Sequence, residues 1–182
     1  MTAGLFHLHG VWVGRCREPD NYNEKGFFEN LDFKKALIER HGRMAQSLEP
    51  DKEAPEDWDK VVKKFGPDDG PWLVKHSSRY WKVWDYHAPK IICVRRCTRS
   101  TIASGIATKM YGSTDRKTVN KLVELHHESM DKAIRKHGGV NVMVDRLIKG
   151  DLRSIQRALN YCKLEMDEKA VKKFISPGLF HY

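Results

Sequence analysis

Apolar residues recur along this chain in two rhythms, and the alternation between them sets the first expectation. The longest helical rhythm runs from Asp115 to Lys136. There Val119, Leu122, Val123, His126, Met130, Ala133 and Ile134 fall three and four residues apart, and Gly138-Gly139 supplies a stop. Shorter helices are predicted over Thr2 to His9, ended by Gly10, and from Asp32 as N-cap to about His41 with Phe33, Ala36 and Leu37 inward. Others are predicted over Glu56 to Phe65 behind Pro55, over Tyr80 to Tyr86 with Trp81, Val83 and Trp84 inward, from an Asp151 cap to Tyr161, and after Asp167. The second rhythm is the short apolar run. Ile91 to Val94 has the length and β-branched content of a strand buried on both faces, and Trp72 to Lys75 and Val140 to Val144 are further strand candidates. Val11 to Val13 reads as a short extended piece. Arg15 to Glu29 reads as a long loop, Ser47 to Pro55 as a polar linker, and Pro177-Gly178 as the release of the tail. Strands alternating with helices predict a single α/β domain over residues 1–182, a three-layer parallel sheet with helices on both faces.

Composition narrows this picture. At 182 residues the chain is long enough to bury a core without disulfide staples. The longest apolar runs are four or five residues, too short to cross a membrane, and the first ten residues lack the basic start and apolar stretch of a secretory signal. The four cysteines, Cys16, Cys93, Cys97 and Cys162, form no CxxC and no zinc spacing, nor do His7/His9 or His126-His127, so no metal is expected. Free thiols fit a reducing, cytoplasmic setting. The formal net charge of +9 invites a polyanion. Much of it, however, sits beside acids on helices, as in DWDKVVKKF, with no run of five basic residues. The charge therefore favours an anionic ligand over nucleic acid.

The chemistry concentrates where the Ile91–Val94 run breaks into Arg95-Arg96-Cys97-Thr98-Arg99-Ser100, followed from Thr101 by a helix carrying Ala103, Ser104 and Gly105. Strand, basic turn and helix is how α/β proteins build anion sites: helix-start amides point at the turn and arginines add bidentate donors. The plainer reading is an ordinary solvated turn.

The arginine at the strand end followed eight residues later by a helical serine, Arg96 and Ser104, resembles the site where sulfotransferases hold the 3′-phosphate of their sulfuryl donor. Further stretches are similar to the same family in its bacterial-type branch. MTAGLFHLHGVWVG resembles the helix and turn after the family's phosphosulfate loop, NEKGFFEN its Asn-x-x-Gly-x-x-Glu element, and LVKHSSR its second strand with a Lys-x-x-x-Arg end. The C-terminal strand and capped helix from Val140 onward resemble the family's closing segment. The resemblance implies a P-loop-like fold. It also implies 3′-phosphoadenosine-5′-phosphosulfate as donor and transfer of a sulfuryl group to a hydroxyl on a small-molecule or glycan acceptor. Carried across, Arg96 and Ser104 hold the 3′-phosphate, Glu29 is the general base with Glu18 as second choice, and Lys75 and Arg79 line the substrate cleft. A surface acid for Glu29 and internal ion pairs for Lys75 and Arg79 are the plainer alternatives.

The family's Gly-rich phosphosulfate loop and its leading strand do not appear in the sequence; both are expected just ahead of Met1, so the fold is expected as an N-terminally truncated version. A start inside a longer gene, a shortened relative without catalysis, or a protein partner or oligomer that completes the sheet would each account for this. Two other function classes stay open: a catalytically silent binding or assembly protein of this fold, and a basic nucleic-acid-binding protein.

Overall fold

The computed structural model describes residues 1–19, 27–43 and 46–175. Among these the chain is mostly helical with a small parallel sheet. The helices are α1 (Thr2–Leu8), α2 (Leu31–His41), α3 (Trp58–Phe65), α4 (Thr98–Ala107), α5 (Arg116–His137), α6 (Val144–Ile148), α7 (Arg153–Tyr161) and α8 (Glu168–Phe174), with a 3-10 segment at Ser78–His87. The strands are β1 (Ile91–Arg95) and β2 (Gly139–Met143), paired in parallel with Ile91 opposite Gly139 and Arg95 opposite Met143.

Most of the helical rhythm translates into helices, but α7 begins at Arg153 with Leu152, not Asp151, at its N-cap, and α6 has no counterpart in the rhythm. Asp115 caps α5 by accepting from the Thr118 amide at 2.7 Å, and Asp167 caps α8 by accepting from Ala170 at 2.9 Å. At the other end of α5, Gly138 adopts φ +71°, a conformation that L side chains rarely adopt. The cap of α2 is Asn30, two residues before the expected Asp32. Its Oδ1 accepts from the amides of Asp32 and Phe33 at 3.0 and 3.1 Å. Asn30 is buried, and it fits only because Gly14 faces it: a Cβ there would lie 1.9 Å from Asn30 Nδ2, and Gly14 has φ +73°. Asp32 instead pairs with Arg15 at 2.5 Å.

The sheet is smaller than the sequence rhythm suggests. Among the described residues Trp72 makes a single parallel bridge, to Trp12, with the Trp12 amide donating to Pro71 and the Leu73 amide to Trp12. Pro71 has no amide to extend the ladder, and from Ser77 the chain winds into the 3-10 segment. β1 is covered unevenly: Ile92 packs against the apolar cluster that includes Val142 and Ile155. Cys93 is buried beneath α5, its thiol directed at the Met130 carbonyl, while Val94 is 46% exposed. Cover is thus present on both sides at Ile92 and Cys93 and is lost at Val94, next to the strand's exit.

Tyr80 to Tyr86 is helical as expected, but in 3-10 form. With three residues per turn, Tyr80 stacks above Val83 and Trp81 above Trp84, so two adjacent rows bury together. Three apolar clusters result. One joins α1, β2, α7 and α8 around Phe6, Val142, Ile155 and Leu159. A second packs Phe33, Trp58, Val83 and Trp84 between α2, α3 and the 3-10 segment. A third holds Ile102, Tyr111 and Leu122 between α4 and α5. His9 ties the ends of the chain: its Nδ1–H donates to Leu5 O and its Nε2 accepts from the Asp167 amide at 3.1 Å. Among the described residues no helix is long and apolar enough to cross a membrane.

Candidate functional site

β1 passes into α4 through only two residues, Arg96 and Cys97. Because β2 lies parallel to β1 and enters α6 at Val144, both strand exits open on the same edge of the sheet. Arg95, the last residue of β1, reaches across the sheet. Its Nε donates to Asn141 Oδ1 at 2.6 Å and its guanidinium pairs with Asp131 of α5, which makes it a latch between strand and helix.

Arg96 turns toward α6. Its Nε lies 3.5 Å from Asp145 Oδ1, an electrostatic contact longer than an ordinary hydrogen bond, and the Cys97 amide donates to Asp145 Oδ2 at 2.5 Å. Cys97 caps α4: its Sγ accepts from the Ser100 amide at 3.4 Å and lies 2.9 Å from Ser100 Oγ. Those hydrogen bonds from Ser100, side chain first, pull this exposed thiol below its usual pKa. Arg99 is exposed on the first turn of α4. Ser104 is half-buried in the second turn, its carbonyl accepting from the Thr108 amide and hydroxyl at 2.9 and 2.8 Å. Arg96 and Ser104 therefore belong to one strand-to-helix unit, with a cationic turn at the amide end of a ten-residue helix.

Glu29 and Lys75, far apart in sequence, meet. Glu29 Oε1 is 3.3 Å from Lys75 Nζ, and Oε2 is 2.5 Å from Lys34 Nζ; Lys75 also donates to the Phe27 carbonyl at 2.9 Å. Partial burial pushes the Glu29 carboxyl up, but the two lysines outweigh it and hold the group below the usual carboxylate range. Glu29 is thus ionised near neutral pH, the form a base needs, at the cost of basicity. Glu18 is exposed. Asn23 and Gly26 of the sequence element that ends in Glu29 lie outside the described residues, as does Pro177-Gly178.

Arg79 goes elsewhere. Its side chain is 2% exposed. Nε donates to Asp51 Oδ1 at 2.7 Å, Nη1 to Ser47 O at 3.1 Å and Nη2 to Glu49 O. Asp51 also accepts from Ser129 Oγ at 2.7 Å and Trp81 Nε1 at 2.8 Å. The stretch read as a polar linker is therefore wrapped around a buried guanidinium, and the interior ion pair is what the fold makes of Arg79. Sequence reasoning singled out neither Asp51 nor Asp145. Both sit in charged, patternless surroundings, and no local spacing announces a carboxylate whose partner lies 28 or 49 residues away.

Comparison of the chain with protein-family models, with curated proteins and with solved structures finds no match, so the functional reading rests on these residues alone.

Proposed function

We propose that this chain is a sulfotransferase-like protein that holds the 3′-phosphate of 3′-phosphoadenosine-5′-phosphosulfate at the β1–α4 turn and transfers its sulfuryl group to an acceptor hydroxyl. The observation that carries the reading is the two-residue link from a parallel strand into a ten-residue helix, with Arg96 in the link and Ser104 on the helix. Amides at the start of α4 and the Arg96 guanidinium are the donors a phosphate requires. On this reading β1 and β2 belong to a three-layer α/β sheet of the sulfotransferase kind, and the acceptor is a small-molecule or glycan hydroxyl. The acceptor oxygen bonds to sulfur, the sulfur–oxygen bond to the donor breaks, and 3′-phosphoadenosine-5′-phosphate leaves. Glu29 takes the acceptor proton, while Lys34 and Lys75 supply positive charge beside it.

A second reading is favoured by one feature. The two lysines that keep Glu29 ionised also weaken it as a base, which suits a protein that binds the nucleotide without turning it over. One melting series and one assay separate the readings. At a hundred times its dissociation constant, 3′-phosphoadenosine-5′-phosphate adds about 2.7 kcal/mol, a rise of roughly 5 to 10 °C for a domain of this size. 5′-AMP, lacking the 3′-phosphate, should give little shift, and Arg96→Ala should abolish the nucleotide's effect. Equal shifts from both nucleotides, or an undiminished shift in Arg96→Ala, would overturn the site. Turnover that Glu29→Gln removes without loss of nucleotide binding supports the enzyme; binding without turnover in the parent chain supports the silent protein.

A further inference from the structure

The β1–α4 turn already holds an anion, and the anion belongs to the chain itself. The Asp145 carboxylate accepts from the Cys97 amide at 2.5 Å through Oδ2 and faces Arg96 Nε at 3.5 Å through Oδ1. These are one backbone amide and one guanidinium of the very turn assigned above to a phosphate. Asp145 is placed there by topology. The parallel register sets Arg95 opposite Met143, so the second residue after each strand end, Cys97 on one side and Asp145 on the other, leaves the sheet on the same edge. It lies on the short helix α6, is partly exposed, and is not held by the core as its neighbours Val144 and Leu147 are. From this geometry we infer that Asp145 is an internal competitor for the turn. A phosphate binds only when the Asp145 side chain rotates away, and the residue sets how tightly the anion is held.

This inference rests on the proposed nucleotide site and deepens it. Phosphate and carboxylate cannot share the Cys97 amide, and two like charges that close repel. The isosteric change Asp145→Asn keeps an oxygen to accept from Cys97 and removes the charge. Its counterpart Asp145→Ala empties the position. Removing a like charge beside a bound anion should tighten it by about tenfold, equivalent to about 1.4 kcal/mol. Fold stability without ligand should change little, because the pair that is lost is partly exposed.

The test is isothermal titration of the full chain and of both variants with 3′-phosphoadenosine-5′-phosphate, with 5′-AMP as control, each protein first checked by its thermal melt. Tighter binding in Asp145→Asn, and in Asp145→Ala, is the expected result. Unchanged or weaker binding in both variants, with the parent chain binding normally, overturns the role of Asp145 and leaves the nucleotide site standing. No binding in any of the three removes the nucleotide site and the competitor with it.

Discussion

Replacing Asp51 with alanine tests the structure where it departs furthest from the sequence reading. Asp51 and Arg79 have side chains 5% and 2% exposed, and the carboxylate serves three donors: Arg79 Nε, Ser129 Oγ and Trp81 Nε1. Deleting it leaves the guanidinium, among the described residues, with the Ser47 and Glu49 carbonyls and no carboxylate, and leaves the Trp81 indole N–H without its acceptor. Ser129 loses less, because its hydroxyl also reaches the Leu125 carbonyl at 2.9 Å. Breaking a buried ion pair from one side costs about 3 to 5 kcal/mol. With a urea dependence of about 2 kcal/mol per molar, the midpoint should fall by roughly 1.5 to 2.5 M. The paired replacement Arg79→Met with Asp51→Leu leaves no stranded charge and should lose less than Asp51→Ala alone. The unaltered chain carries a pH signature of the same pair. Burial raises the Asp51 carboxyl, but hydrogen bonds from Arg79, Ser129 and Trp81 and the Arg79 charge outweigh it, so its folded pKa lies below the unfolded value of about 3.9. The stability it contributes is complete above that unfolded value and is lost as pH falls through the folded one. Urea titrations of the unaltered chain, Asp51→Ala, the paired variant and its two single changes, from pH 7 down to pH 3, provide the measurement. A midpoint change under about 0.5 M in Asp51→Ala would refute the reasoning. So would a paired variant as damaged as the sum of its single changes.

Two further outcomes are expected. His76 stacks on Trp84 at 5.9 Å, meets the Tyr80 ring edge-on, and donates through Nδ1 to the Ser77 carbonyl at 2.7 Å. Burial lowers its pKa against the opposing pull of Ser77 and Glu29, so its contribution is complete above the unfolded value of about 6.5 and is lost as pH falls through the folded one. His76→Phe should flatten the pH dependence of the melting temperature below pH 6.5, and an unchanged slope would exclude His76 as its source. Limiting iodoacetamide near neutral pH should alkylate Cys97 first, read by peptide mass, because its thiol is exposed and lowered by Ser100. Cys93, buried and pushed up to about 11, should label only on unfolding; comparable labelling of both in the folded protein would contradict this.

What the sequence determined by itself is what depends on neighbours along the chain. The three-and-four spacing of α5 and its Asp115 and Gly138 ends were legible because caps and amphipathic stripes are set within one or two turns. The apolar runs at β1 and β2 were legible to within a residue for the same reason. Tertiary structure decided the rest. Whether Trp72 joined a ladder depended on Pro71 and on Trp12, sixty residues earlier. The stop of α2's N-terminus at Asn30 depended on room left by Gly14. At the candidate site, the sequence supplied Arg96 and Ser104 on one local unit, and only the fold could bring Lys75 to Glu29 or Asp145 to the turn. It also sent Arg79 inward, to a carboxylate in a stretch with every mark of a surface linker. Charged residues carry no periodic signature of burial. Their partners are chosen by which elements pack together, and that choice is made by the apolar clusters on which the helices close.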